Sequence, residues 1–338
     1  MPRKSGERRL SASLAWGGGL VLALILIAAA APLLAPYDPD EQLDPPAGNY
    51  RPPGTELAAV HLADGSWRLA DRVRRTSAGL AIERLGGVET LPASRVLNLT
   101  PSGVADRRLF LLGSDRFGRD LLSRIVYGTR VSLAVGLISV ALALTLGVAV
   151  GSAAALGGRW IDALLMRGVD ALLAFPWMFL MLALAAFFRP GPVAVAGLLG
   201  ATAWMAISRL TRAELLGLKS REFAVAARAM GQHPLAILWR HLLPNALTPV
   251  VIKATLMIGD LILLEASLSF LGLGIQPPTP SWGNLISEGQ DVLVQAWWIA
   301  TFPGAALAVT VIAFNLLADG LRDALDPRQG GGATLPPP

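Results

Sequence analysis

"VSLAVGLISVALALTLGVAVGSAAAL", residues 131–156, runs without one Lys, Arg, Asp or Glu. A bilayer's hydrocarbon core is about 30 Å thick and a helix rises about 1.5 Å per residue, so a span takes roughly 20 mostly apolar residues. This stretch meets that length and reads as a transmembrane helix. Outward from it, residues 10–36, 171–188, 190–208 and 292–318 are equally free of charge, and 246–273 carries only Lys253, Asp260 and Glu265. Pro176, Gly200 and Pro303 do not disqualify their runs, because neighbouring helices can satisfy freed backbone groups. With 53% hydrophobic and 16% charged residues over 338 positions, the expected fold is an all-α polytopic membrane protein with six transmembrane helices.

The first run follows Arg3, Lys4, Arg8 and Arg9, as a secretory signal would. Its apolar core exceeds the roughly 7–15 residues of a signal, and no small-residue cleavage site precedes Tyr37, so it reads as an uncleaved span. Cysteine is absent, which excludes disulfides and thiolate metal sites. The net charge of +5 comes mostly from Arg, and its distribution matters more than its sum. Arg209, Arg212, Lys219, Arg221, Arg228 and Arg240 crowd the loop between the fourth and fifth spans, against Glu214 and Glu222 alone, and Arg159 and Arg167 occupy the other short loop on that side. On the opposite side stands Arg189, with no Lys or Arg between Gly272 and Trp298. The positive-inside rule then puts both termini and the Arg-rich loop in the cytoplasm. Nucleic acid is not expected as a partner.

Residues 37 to about 130 are left outside. "YDPDEQLDPPAGNYRPPG" (37–54) reads as an extended linker. "AAVHLADGSWRLADRVRR" sets Asp64 and Gly65 between part-alternating segments, the sign of a hairpin with a type I′ turn. "GLAIERLGGVETLPASRVLNLT" adds candidate short strands, so a small extracytoplasmic β-rich insertion is expected. In "LGSDRFGRDLLSRIVYGTR", Ser114 or Asp115 can cap a helix, with Asp115–Arg119 and Asp120–Arg124 at i, i+4 spacing; this reads as a charged helix at the outer interface. The tail 329–338 is expected to be disordered.

The loop at 217–244 contains "EFAVAARAMGQHPLAILWRHLLPN" (222–245). Phe223, Ala226, Ala227 and Met230 recur at helical spacing, Gly231 suits a C′ position with positive φ, and Pro234 suits the first turn of a following helix. The pattern is helix, Gly turn, helix, returning to the membrane near Pro244. Composition fits both a helix lodged in a partner's groove and one lying among lipid headgroups.

The arrangement resembles the cytoplasmic signature of ABC importer permeases, on Ala226, Ala227, Gly231, Leu243 and Pro244. Val225 stands where that signature usually has Glu, and Glu222 is the nearest carboxylate able to substitute. "APLLAPYDP", "LGSDRFGRDLLSRIVYGTRVSL", "MRGVDALLAFP", "LLEASLSFLGLGIQPPTPSWG" and "FNLLADGLRDALDPR" resemble the dipeptide, oligopeptide and nickel branch of these permeases, in order, over 20–46 and 111–328. The resemblance implies a type I ABC importer permease fold in a bacterial inner membrane. It divides the chain into 1–36 (N-terminus and first span), 37–110 (linker and insertion), 111–328 (permease core) and the tail. It implies a second homologous permease, two ABC ATPases that bind ATP and Mg, and an extracytoplasmic solute-binding protein. The loop that meets the ATPase would use Glu222, Phe223, Ala226, Ala227, Gly231, Leu243 and Pro244. Peptides are the expected substrate, with nickel and other small solutes behind.

Ionisable residues in spans are functional candidates by default; Asp170, Asp260 and Glu265 are expected to line the route or brace helices. A proton-coupled carrier would use the same three as a relay, and lacks an evident internal repeat in its favour. No Lys follows a Gly, which removes the Walker A phosphate cradle, and no Ser has a Gly two residues before it, which removes the nucleophile elbow. His61, His233 and His241 have no HExxH spacing. The expectation is a transport subunit without catalytic residues, cofactor or metal of its own.

Overall fold

The computed structural model describes residues 12–325 except 78, 101–102, 105, 175 and 177–190. Among the described residues, five helices are long and apolar enough to cross a membrane: Ala12–Ala29, Leu121–Leu156, Pro192–Lys219, Pro234–Phe270 and Trp298–Leu325. These are five of the six expected spans. The other, 171–188, falls mostly outside the described residues, as do Arg3, Lys4, Arg8, Arg9, Arg189 and the tail. The helices that matter below are α1 (Ala12–Ala29), α2 (Leu121–Leu156), α3 (Gly158–Ala174), α4 (Pro192–Lys219), α5 (Glu222–Ala229), α6 (Pro234–Ile237), α7 (Leu243–Phe270), α8 (Trp282–Gln290) and α9 (Trp298–Leu325).

The chain forms two compact units. One takes in the described parts of Met1–Ile25, Leu133–Glu265 and Ala308–Pro338. Lipid gives no hydrophobic drive for one helix to meet another, so spans associate through small residues that let backbones approach and through interhelical hydrogen bonds. Here α2 and α4 use both. A side chain at Gly147 would lie 2.6 Å from the Ile207 side chain, and one at Gly151 would lie 2.6 Å from the Ser208 carbonyl. The Ser139 hydroxyl donates across to the Ala196 carbonyl at 2.9 Å.

The other unit, Leu26–Ser132 with Ala266–Leu307, contains the β-rich insertion. Its strands are β1 (Thr55–His61), β2 (Trp67–Ala70), β3 (Arg72–Thr76), β4 (Gly79–Arg84), β5 (Gly87–Leu91), β6 (Leu99–Thr100), β7 (Gly103–Val104) and β8 (Asp106–Phe110). They form antiparallel sheets in the orders β2-β1-β8, β3-β4-β5 and β6-β7. Alternation sends Leu80 and Ile82 of β4 inward, where they pack with Val60, Leu62, Ala70, Leu91 and Val96.

Three local expectations change. The Asp64–Gly65 hairpin forms, with β1 pairing β2 from His61–Trp67 onward, but only Gly65 has positive φ, at 83°, which excludes a type I′ turn. The Asp64 carboxylate instead accepts from the Ser66 hydroxyl and amide at 2.7 and 2.9 Å, and those bonds lower its carboxyl pKa. The two-residue turn with positive φ at both positions is Leu85–Gly86, at 53° and 76°, between β4 and β5.

The linker is bound down, not a free tether. Asp44 is buried, accepts from the Leu69 amide at 2.9 Å and pairs with Arg84 at 2.7 Å, and a helical turn at Pro45–Gly48 packs Ala47 against Leu57, Leu69 and Phe110. Finally, 114–120 is a compact turn and not part of an interfacial helix. Asp120, not Ser114 or Asp115, accepts from the Ser123 amide at 2.7 Å, and α2 runs unbroken from Leu121.

Candidate coupling site

The 217–244 loop folds as its Gly and Pro punctuation dictates. At the end of α5, Gly231 has φ of 75°, and the Gly231 and Gln232 amides donate to the carbonyls of Arg228 and Ala227 at 3.0 and 3.2 Å. This paired closure is the Schellman motif, which requires a left-handed residue at C′. His233 then caps α6, its Nδ1 accepting from the Leu235 amide at 3.3 Å, with Pro234 at the first position.

The return is continuous: α6 passes through a π-helical segment, Leu238–Leu242, directly into α7. In α-helical register the Pro244 ring would meet the Arg240 carbonyl, and proline brings no N–H to bond it; the wider π turn relieves that conflict. π segments of this kind are frequent at functional sites.

Beneath the loop lies an apolar core of Ala155, Leu215, Ala224, Ala227, Ile237, Leu238, Leu242, Leu243 and Ala246. The Lys219 ammonium donates to the Ala155 carbonyl at 2.5 Å, closing the end of α2, and the Arg228 guanidinium donates to the Lys219 carbonyl. The ends of α2, α4 and α5 are thereby tied to α7.

This core sorts the expected coupling residues into two groups. Glu222, Phe223, Ala226, Gly231 and Pro244 are exposed, whereas Ala227 and Leu243 are buried in the core. The exposed apolar surface of the loop is Phe223, Val225, Ala226 and Met230, with Leu235 and Trp239 on the following segment. Val225, at the place where the signature has Glu, is 51% exposed, so the departure lies on the outward surface.

The in-span and near-span charges also separate. Asp170 on α3 pairs with Arg209 on α4 at 2.8 Å. Three residues further along α4, Arg212 donates to Asp162, with its Nη2 at 2.6 Å, and that hydrogen bond holds the Asp162 carboxyl below its usual range. These pairs brace α3 against α4. On α7, Glu265 is fully buried while Asp260 and Lys253 are exposed. Five residues separate Asp260 from Glu265, about 140° around a helix, so they face different surroundings. A relay through Asp170, Asp260 and Glu265 finds no support in this arrangement.

Sequence reading missed a buried ionic cluster in the second unit. Asp115, Arg119, Asp120 and Arg124 are all nearly inaccessible. Arg119 Nε meets Asp115 at 2.5 Å, and Glu288 of α8 receives Arg119 at 3.1 Å and Arg124 at 3.4 Å. Arg124 also reaches Asp40 of the linker at 3.5 Å. Nearby, buried Arg108 pairs with Glu41 at 2.8 Å and lies 4.1 Å from the Tyr37 ring centre. The Asp115–Arg119 spacing was readable, but nothing near Glu288 marked it as their partner. The usable signal was density: five charges within "SDRFGRDLLSR" exceed what an interfacial helix needs.

Taken together, the apolar spans, the small-residue packing and the loop seated on its own core describe a multi-pass membrane protein. Comparison with known proteins agrees. Residues 143–331 match the binding-protein-dependent transport system inner membrane component, and residues 12–53 match the N-terminal TM domain of oligopeptide transport permease C. The chain belongs to the binding-protein-dependent transport system permeases, subunits that work with ATPase and binding-protein partners. It is 40% identical over 264 residues to a peptide transport system permease protein of Brucella suis, covering 76% of this chain and 89% of that one. It is 41% identical over 219 residues to a di/tripeptide transport system permease protein of Pseudomonas aeruginosa, covering 65% and 72%. The methionine ABC transporter MetNI, solved in inward-facing form, shares the fold with a TM-score of 0.52 over 61% of this chain and 98% of that one, at 21% identity.

Proposed function

We propose that the chain carries peptides inward across the inner membrane, gated by two ATPases that grip the 217–244 loop. A second, homologous permease completes the pore, an extracytoplasmic receptor delivers the peptide, and both termini face the cytoplasm. The observation that carries this reading is the loop itself: an exposed apolar surface of Phe223, Ala226 and Met230 beside a Gly turn, fixed to the spans by the Ala227–Leu243 core and by the unbroken helix from Pro234 to Phe270. A push on that surface is a push on α7. ATP-driven closure of the ATPases then tilts the spans and exchanges access between the two sides. Peptide as cargo is supported by the names of the relatives.

In this reading 111–328 is the permease core and 47–110 is an outside module that meets the receptor or the second permease. Excising it would unpair Asp44, Glu41 and the Tyr37 hydroxyl, which accepts from the Leu109 amide at 2.9 Å; replacing only its exposed residues is the cleaner probe of that contact.

The chain lacks cysteine, so a single Ala226→Cys can be crosslinked without background. Crosslinks from position 226 to the ATPase are expected, and Gly231→Asp is expected to insert normally yet lose ATPase co-purification, since a carboxylate would be desolvated at that junction. Normal co-purification and uptake in Gly231→Asp would rule out docking through this loop.

A further inference from the structure

Span α7 carries two charges that no other described residue claims. Its inward side is Ala254, Met257, Leu261, Ile262 and Glu265, all buried. Lys253 and Asp260 lie on the other side, both exposed, and neither makes a hydrogen bond or ion pair with another described residue. Seven residues apart, they share one face, offset by about 20°, and are separated by about 10 Å of helical rise. At that distance they do not neutralise each other, and lipid is a poor environment for either. A helix that needed only a braced pair would place the charges three or four residues apart.

We propose that Lys253 and Asp260 are a two-point contact for the two ends of a zwitterionic peptide in transit. A peptide backbone spans at most about 3.3–3.6 Å per residue, so an extended tripeptide is about 10 Å long, comparable to the helical rise between the two residues. Asp260 receives the terminal ammonium and Lys253 the terminal carboxylate, as charge-assisted hydrogen bonds. Because Lys253 lies nearer the 217–244 loop, the carboxylate end leads into the cytoplasm. The contact is independent of side chains, so it suits a transporter that accepts many sequences of one length class. This assignment rests on the peptide-import reading above and specifies how that cargo is held.

The test uses the complete complex in proteoliposomes, with saturating trialanine, N-acetyl-trialanine or trialanine amide. Asp260→Asn is expected to lower uptake of free trialanine about 5–10-fold, to leave the acetylated peptide as in wild type, and to keep the yield of assembled complex. Lys253→Met is expected to do the same, with the amide as the indifferent peptide. Uptake of all three peptides at wild-type rates in both variants overturns the proposal alone. A fall in complex yield with equal loss for all three peptides also overturns it, and assigns the charges to the second permease chain. Wild-type vesicles that take up none of the peptides with ATP present overturn the import reading and this contact with it.

Discussion

The paired alanines of the loop have opposite duties despite being adjacent. Ala227 is 2% exposed and packs with Leu215 and Leu242, whereas Ala226 faces out. Ala227→Leu therefore overfills a packed core and should cost about 1–3 kcal/mol, read as a lower Tm of the purified subunit. Ala226→Leu should leave Tm nearly unchanged, within the about 0.5 kcal/mol typical of surface changes, and weaken ATPase binding. Equal Tm losses would contradict the assignment. Leu85 offers a second test. A non-glycine residue at φ of 53° is strained by about 1 kcal/mol, and Leu85 is 60% exposed, so it gains little from burial. Leu85→Asn creates the Asn-Gly pair that a type I′ turn favours and should raise stability by about 0.5–1 kcal/mol; a lower Tm would show that the leucine is held by a contact.

At the scale of elements, the fifth span and the loop are one continuous device, and the ionic cluster is a second. Gly231 and Pro234 were legible as stops and starts because their backbone constraints are local. The continuity through Leu238–Leu242 was not, because Pro244 marks a conflict in register without saying whether the helix breaks or widens. Likewise Asp115 and Arg119 are neighbours along the chain, but Glu288 meets Arg119 only after folding. Glu288→Gln should cost about 3 kcal/mol, since two buried guanidinium groups lose a charged partner; an unchanged Tm would mean that the cluster is solvated.

Asp120 behaves differently. Burial pushes its carboxyl above the usual 3.8, against the hydrogen bonds from Ser123. The folded chain thus holds this proton more tightly than the unfolded chain. Stability is unaffected by the group below 3.8, falls as pH rises towards the folded pKa, and stays reduced above it. Asp120→Asn keeps an acceptor for the Ser123 amide and removes that penalty. Its Tm at pH 7 should equal or exceed wild type, with a flatter pH profile above pH 4; a clear loss at pH 7 would contradict this.

For the molecule as a whole, five of the six expected spans stand among the described residues, because burial in lipid writes itself into composition. Which exposed surfaces meet lipid and which meet partner subunits is set by molecules whose sequences are not in this chain. That is why Ala227 was grouped with Ala226, and why Lys253 and Asp260 gained meaning only once their shared outward face was seen. The central claim is that this subunit is a passive gate driven through residues 217–244. Uptake of a labelled tripeptide by proteoliposomes, with and without the ATPases, tests it most directly. The account predicts uptake only when ATPases and ATP are both present, lost in Gly231→Asp, and insensitive to collapse of the proton gradient. Uptake by vesicles lacking the ATPases, abolished when that gradient is dissipated, would contradict it.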